Sequence, residues 1–419
     1  MKLVIAEKPS VAMALASVLG ARTRKDGYVE GNSYIVSWCV GHLVGLCDAS
    51  EYDEKYKKWR YEDLPIVPEQ WKHKVLDGTK KQFGILKKLM RDSKVDEVIC
   101  ATDAGREGEL IFRLVYEQAG CQKPMKRLWI SSMEEQAIKD GFASLKDGSC
   151  YDSLYQSALC RAKADWLVGI NASRLFSVLY NQNLKVGRVQ TPTLAMIVDR
   201  NQKIKEFTKE KYYMAHIKFD DMDAVTEHFQ KKEDADKVAA DCAERMCEVE
   251  KDDVKEKTVR PPKLYDLTTL QREANRMFGY TAQQTLDAVQ EMYEQKLVTY
   301  PRTDSQYLTD EMGESTETLI QMLLGKMPYA EGLEYQPDVS KVLNSKKVSD
   351  HHAIIPTMEV AKADIGELKE RNRKILYLIS ARVLTATADP YIYESHKCQI
   401  TCNYHTFYLT AKKTKQEGF

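Results

Sequence analysis

The chain opens on KLVIA (2–6), whose four consecutive apolar residues after Lys2 predict a short buried strand. Ser10 then stands where it can cap a helix over VAMALASVL, ended by Gly20. A second segment, VDEVICATD (95–103), predicts another strand around its apolar VICA. It leads through AGREGE into a helix over LIFRLVYEQA, closed by Gly120. RLWISSM (127–133) reads as a third strand. Such alternation predicts a parallel sheet covered by helices, a multidomain α/β chain in its first part.

The pattern then changes. Residues 150–205 read as helical, with a turn at Gly187-Arg188 and a new helix starting at Pro192. Residues 206–262 alternate apolar and polar positions (YYMAHIKFD) before turning highly charged, a strand-rich stretch bounded by Pro261-Pro262. Residues 263–385 read as mostly helical. Thr281 and Gln284 form a capping-box pattern ahead of AQQTLDAVQEMYEQ, which runs into LVTYPRTDS. Strand-like alternation returns over 386–419.

Composition narrows the classes. Of 419 residues, 43% are hydrophobic and 30% charged, enough to build several cores. No apolar run approaches the ~20 residues of a membrane span, and the apolar start is too short for a signal peptide. The expectation is a cytoplasmic protein. None of the ten cysteines forms a CxxC pair, so no structural zinc site is expected, and their scatter fits a reducing compartment. Lys+Arg and Asp+Glu are both 62, which excludes a simple polycationic coat. The charge is nevertheless segregated: residues 151–205 carry eight basic and three acidic side chains, residues 206–258 ten and sixteen. A basic block is the expected footprint of a phosphate-binding face.

Three constellations carry candidate chemistry. Glu7 follows the first strand, Asp103 ends the second, and Glu107 comes just beyond. Ligands of open α/β sheets sit outside the carboxyl ends of strands, so neighbouring parallel strands would bring these carboxylates together. Carboxylates without His or Cys suit a hard cation such as Mg²⁺, with Lys8 beside them for a phosphate oxygen or a leaving group. The plainer alternative is a solvated strand end whose acidic residues suit a helix N-terminus. Tyr300 lies in VTYPRTDS, two residues before Arg302. On an extended segment the phenol and guanidinium would share a face, as a tyrosine attacking a phosphate requires. With 23 tyrosines in the chain, an isolated one is ordinarily packing. His351 and His352 precede an Ile-Pro turn and could bind a metal, donate to a phosphate, or lie on the surface.

Together these segments resemble the type IA DNA topoisomerases, and among them the bacterial topoisomerase III group. The resemblance rests on AEKPSVA (6–12), GHL (41–43), LPI (64–66), ATDAGREGELI (101–111) and RAKADWLVGINASR (161–174). It continues through VGRVQTPTL (186–194), LTTLQREAN (267–275), LVTYPRTDS (297–305) and HHAIIPT (351–357). The motifs cover nearly the whole chain in the family's order.

The resemblance implies a Toprim domain over 1–135 and the first part of a helical base domain over 150–205. It implies two passes through a β-rich arch, 206–262 and 386–419, around a helical domain, 263–385, that carries the nucleophile. The complete family fold is a ring around DNA. By the same resemblance, Tyr300 attacks a phosphodiester of a single strand and becomes linked to its 5′ phosphate. A strand passes and the break is resealed without ATP, relaxing negative supercoils or decatenating DNA. Arg302 and His351 would hold the scissile phosphate, and Lys8 with Glu7 would serve the leaving oxygen. Glu7, Asp103 and Glu107 would hold Mg²⁺. Arg161, Arg174, Arg188, Gln190, Thr191, Thr299, Asp304 and Ser305 would contact the strand. The implied partner is nucleoid DNA, and the implied state a monomer.

Two departures from the family pattern stand out. Gly105 replaces the second carboxylate of the usual Asp-X-Asp, so one Mg²⁺ is expected rather than two. The sequence also stops within what resembles the arch. That raises the alternative of a truncated fragment that binds and cuts single strands without strand passage. A Toprim nuclease or primase would use the acidic cluster alone, and VTYPRTDS argues against it.

Overall fold

The computed structural model describes residues 1–333, 336–348 and 351–419; Asp350, before the two histidines, lies outside them. The elements run β1 (Lys2–Ala6), α1 (Pro9–Leu19), β2 (Thr23–Lys25), β3 (Tyr28–Gly31), β4 (Tyr34–Trp38), β5 (Val44–Leu46) and β6 (His73–Val75). There follow α2 (Lys80–Arg91), β7 (Glu97–Ala101), α3 (Arg106–Ala119), β8 (Met125–Arg127), α4 (Glu135–Ala143), β9 (Lys146–Asp147), α5 (Asp152–Tyr180) and α6 (Gln190–Lys205). Next come β10 (His216–Phe219), β11 (Met222–Val225), α7 (Lys232–Cys242), β12 (Cys247–Val259), α8 (Leu267–Phe278) and α9 (Ala282–Glu294). The chain continues through α10 (Gly313–Lys326), α11 (Glu370–Thr387), β13 (Tyr391–Cys402) and β14 (His405–Gln416).

These elements form two compact units. The first comprises Met1–Asn201, Asp266–Ser305 and Lys347–Leu376; the second comprises Gln202–Tyr265, Gln306–Lys346 and Tyr377–Phe419. The helical stretch that carries Tyr300 is thus shared between them.

In the first unit seven strands form one sheet in the order β2-β3-β4-β1-β7-β8-β9. β4, β1, β7 and β8 are parallel, as the alternating pattern predicts. Leu3, Ile5, Val98 and Cys100 of the central strands pack with Phe83, Leu86, Met90, Ile111, Phe112 and Val115 of α2 and α3. The register pairs Ala6 with Trp38 on one side and with Ala101 on the other, so β1 and β7 end level. The chain leaves β1 toward β4 and later returns on its other side as β7. A crevice opens where strand order reverses in this way.

Some expectations fail locally. α1 starts at Pro9, with Lys8 at the N-cap position, so Ser10 lies inside the helix and caps nothing. A proline at the first helical position needs no backbone donor there. The third strand is only Met125–Arg127; beyond it Ser131 bonds to the Tyr300 N–H and to His351 instead of extending the sheet. VTYPRTDS is not a strand: Val298 makes a single bridge to Pro356. Among the described residues between α10 and α11, the helical segments are short 3-10 turns. The capping box holds: Thr281 Oγ1 accepts from Gln284 N at 3.1 Å and Thr281 N donates to Gln284 Oε1 at 2.9 Å.

The second unit contains a five-stranded sheet, β10-β11-β14-β13-β12, with antiparallel pairings. β13 and β14 meet through Asn403-Tyr404, at φ 46° and 69°, the positive values a two-residue hairpin turn requires. Val238 of α7 packs on Ala224, Ile400, Phe407 and Leu409 of this sheet. All ten cysteines are free thiols.

Candidate active site

The residues that close β1 and β7 meet at the crevice. Glu7 is buried, and its Oε2 accepts from the backbone N–H of Asp103 at 3.2 Å. The first turn of α3 approaches Asp103 so closely that only glycine fits at 108: a Cβ there would lie 2.1 Å from the Asp103 carbonyl oxygen. α3 therefore starts hard against the Asp103 loop. Burial, and then the neighbouring Asp103 carboxylate, push the Glu7 carboxyl up to about 7. Burial likewise raises Asp103.

Beneath that loop lies an ionic network that sequence reading missed. Arg127 is fully buried and donates through Nη1 to the carbonyls of Thr102 (2.7 Å), Leu128 (2.9 Å) and Cys100 (3.2 Å). Its Nη2 donates to the Asp103 carbonyl at 2.7 Å. Glu109, 1% exposed, pairs with Arg127 Nε at 3.1 Å and with Arg113 Nε at 2.9 Å. The Asp103 backbone is thus fixed from below by a buried charge cluster.

Tyr300 comes to the same place. Its hydroxyl donates to Asp103 Oδ2 at 2.9 Å and its backbone N–H to the Ser131 carbonyl at 3.2 Å. Burial and the Asp103 charge push the phenol well above its ordinary value, and Arg302 opposes them. The ring lies 4.3 Å from the His351 ring, centre to centre, and edge-on to Tyr293 at 5.4 Å. Arg302 is half-buried; its Nη1 donates to Gln290 Oε1 at 3.3 Å and stands 3.9 Å from Asp103 Oδ2. Lys8 Nζ is 3.4 Å from Glu294 Oε1.

His351 is held from both sides. Its Nε2–H donates to the Ala104 carbonyl, which leaves Nδ1 to accept from Ser131 Oγ at 2.9 Å. Burial lowers its value to about 4, so the ring is neutral at physiological pH. In this arrangement it braces the Tyr300 ring, and both nitrogens are occupied.

The third expected carboxylate is turned aside. Glu107 Oε1 accepts from His42 Nε2 at 2.5 Å, and that bond, first among the causes, lowers its carboxyl. His42 belongs to the GHL segment, the one sequence signal that pointed to it. Glu7, Asp103 and Glu107 all line one open cavity of about 720 Å³ with His42, Arg161, Tyr300, Arg302, Asp304 and His351. Their oxygen-only donor set fits Mg²⁺. Among the described residues, no three His, Cys, Asp or Glu side chains are gathered closely enough to hold an ion. Glu107 would have to leave His42 to join the pair.

The residues expected along a DNA strand divide. Arg161 and Asp304 line the cavity. Arg188 pairs with Asp165 at 2.9 Å, and Thr191 Oγ1 accepts from Gly187 N at 3.1 Å just after α6 begins at Gln190. Three face inward instead. Arg174 is 6% exposed and donates to the Tyr56 carbonyl at 2.8 Å. Thr299 Oγ1 accepts from Ile355 N at 3.0 Å and donates to the Ala353 carbonyl at 3.2 Å, tying the tyrosine loop to the histidine segment. Ser305 is buried, with Oγ donating to the Lys347 carbonyl at 2.9 Å. They hold the site's frame.

Comparison with known proteins gives the family. The family model described as Toprim domain matches residues 2–133, and the model described as DNA topoisomerase matches residues 149–419. DNA topoisomerase 3 of Staphylococcus haemolyticus is 40% identical over 426 residues, covering 100% of this chain and 60% of its own length. DNA topoisomerase 3 of Bacillus cereus is 43% identical over 437 residues, covering 99% and 58%. The chain therefore spans about 60% of the length of these curated relatives. Full-length topoisomerase I from Thermotoga maritima shares the fold, with a TM-score of 0.73 at 23% identity over 99% of this chain and 66% of that one. With the parallel sheet and both family models in agreement, the chain belongs to the type IA DNA topoisomerase family and is similar to its topoisomerase III members.

Proposed function

We propose that this protein is an ATP-independent DNA topoisomerase that cuts one strand through Tyr300, lets another pass, and reseals the break. The observation that carries this reading is the Tyr300 hydroxyl on Asp103 at 2.9 Å in a cavity that Arg302 and Arg161 also line. In the cleavage step the Tyr300 oxygen bonds to phosphorus and the bond from phosphorus to the 3′ oxygen breaks. The phenolic proton passes to the carboxylate it already faces. Lys8 and Glu7 supply the proton that the 3′ oxygen takes up. Arg302 and Arg161 balance the phosphate charge. Resealing reverses these steps, so the phosphodiester energy is kept in the tyrosyl ester.

Glu7 and Asp103, with Glu107 once released from His42, would hold a Mg²⁺. The ion would supply electrostatic alignment of the 3′ hydroxyl with the phosphate. The substrate is single-stranded segments of duplex DNA, relaxed or decatenated by a bacterial cytoplasmic monomer. No described helix is long and apolar enough to cross a membrane.

Oligonucleotides labelled at one end test the reading on a denaturing gel. A 3′-labelled strand is expected to shift as a covalent protein adduct, and a 5′-labelled strand to yield only a shortened free fragment. Adducts on the 5′-labelled piece, or none on either, would overturn the assignment.

A further inference from the structure

None of the residues 54–63 lines the catalytic cavity. Their sequence, EKYKKWRYED, interleaves cations with aromatics, and the structure leaves two of those aromatics open. Trp59 is 44% exposed and Tyr61 57%. Trp59 is not loose. The guanidinium of Arg174 lies 5.3 Å from its ring centre, and Arg174 is itself buried and anchored to the Tyr56 carbonyl. A fixed cation thus backs the indole while much of the ring remains in solvent.

An open groove of about 540 Å³ adjoins this ring, lined by Trp59, Ser177, Val178, Asn181, Gln182 and Asn183. Three of the six are neutral amides, each able to donate and accept. Lys55 and Lys57 are taken up by Asp53 at 3.5 Å and Glu54 at 2.7 Å. Lys58 and Arg60, on either side of Trp59, are exposed and form no ion pair among the described residues. A single exposed aromatic is unremarkable. An exposed indole with a braced back, beside hydrogen-bonding amides and between two uncommitted cations, is a different object.

We propose that Trp59 is a stacking platform for one unpaired base of a single DNA strand, outside the catalytic cavity. Asn181, Gln182 and Asn183 hydrogen-bond the edge of that base, and Lys58 and Arg60 meet the adjacent phosphates. The proposal rests on the reading of the chain as an enzyme acting on single strands. The ligand class follows from the chemistry. Duplex DNA hides its base faces, whereas every unpaired base offers one, so the platform tolerates any sequence. Arg174 then serves the strand indirectly, by bracing Trp59 rather than by touching phosphate.

Two measurements on the full chain test this. The first is fluorescence anisotropy with dye-labelled oligo(dT) and a mixed-sequence strand, across a salt series. Trp59→Leu, which keeps apolar cover over Arg174, is expected to weaken both by about tenfold with an unchanged salt slope, and Trp59→Phe by less. Lys58→Ala with Arg60→Ala is expected to reduce the slope by about 1.4, roughly 0.7 per phosphate lost. Unchanged affinity in Trp59→Leu overturns the proposal. The second needs no variant: the unaltered chain is irradiated with an oligonucleotide carrying 5-iododeoxyuridine and the crosslinked peptide is sequenced. A crosslink at Trp59 is expected, and crosslinks confined to other peptides overturn it. A chain that forms adducts through Tyr300 yet fails both tests refutes the platform alone. A chain that binds no oligonucleotide refutes the topoisomerase reading as well.

Discussion

The Tyr300 hydroxyl donates to Asp103 Oδ2 at 2.9 Å, so the candidate nucleophile and a candidate metal ligand occupy each other. One oxygen of Asp103 is committed to the phenol and its backbone N–H to Glu7. The tyrosine is therefore stored on the acidic cluster, with a phenol too basic to ionise by itself. On the proposed reading, its activation would call on a phosphate in the cavity and on the nearby cations.

Tyr300→Phe removes the attacking oxygen and leaves the ring on His351. Covalent adducts are expected to vanish, while oligonucleotide affinity changes by less than about twofold, because affinity comes from many phosphate contacts. Quantifying adduct on a denaturing gel and binding by anisotropy in the same variant checks both halves. Persistent adducts would identify another nucleophile.

A stability prediction follows from the network below Asp103. Arg127→Met strands the carbonyls of Thr102 and Asp103 and leaves buried Glu109 with Arg113 as its one remaining ion-pair partner among the described residues. Removing one partner from a buried charge pair typically costs about 3–5 kcal/mol. Urea denaturation should show a loss of that order, and the variant should also lose cleavage because the Asp103 loop is no longer pinned. A loss under about 1 kcal/mol would mean that the network contributes little.

How far the sequence foretold this site depends on what set each contact. Glu7 and Asp103 were legible together because both follow strands, and parallel pairing of β1 with β7 brings their ends level. Tyr300 and Arg302 were legible as a pair, although a bent loop rather than a strand presents them. The Glu107–His42 contact was not, since it depends on how α3 leaves the sheet at Gly105 and Gly108. Arg127 and Glu109 were illegible for a plainer reason. Their pairing depends on the packing of β8 against α3, and charged residues at those positions ordinarily read as solvated. Arg174, Thr299 and Ser305 carry family motifs, yet the structure spends their polar groups on the backbone of neighbouring segments. A motif marks a position that matters without saying whether it touches ligand or frame.

His351 makes a pH prediction with a definite sign. Burial holds it at about 4 in the folded chain, against an ordinary value of 6.5. Between those values the unfolded chain takes up a proton that the folded chain refuses. Its contribution to stability is therefore complete above pH 6.5 and lost as pH falls toward 4. Arg127 and His352 reinforce the shift, and Asp304 and the Ala104 carbonyl oppose it. Buried Glu7 and Asp103, raised in the fold, contribute slopes of the opposite sign. The comparison that isolates His351 is between wild type and His351→Gln. Over pH 6.5–4, melting temperatures should fall more steeply in the wild type than in the variant, and parallel curves would contradict the buried neutral ring.

The last prediction concerns Asp165, which stands between two cations expected on the DNA path. Its carboxylate is 2.9 Å from Arg188 Nε and 3.9 Å from Arg161 Nε. All three side chains are at least a third exposed, so these pairs add little stability. Their effect lies in charge. Asp165 offsets one unit of the basic block over 151–205 and holds Arg188 in one orientation. Asp165→Asn keeps the size of the side chain and removes that offset. Binding of unrelated single strands should tighten at low salt, with a salt slope steeper by up to about 0.7, the value of one further phosphate contact. Arg188→Ala should do the reverse, weakening all strands alike and flattening the slope by about 0.7. The melting temperature of both variants should stay close to that of the wild type, because exposed pairs are replaced by hydration. If both leave the salt dependence unchanged, the strand does not run past the start of α6, and Arg161 alone must represent this helix pair at the cavity.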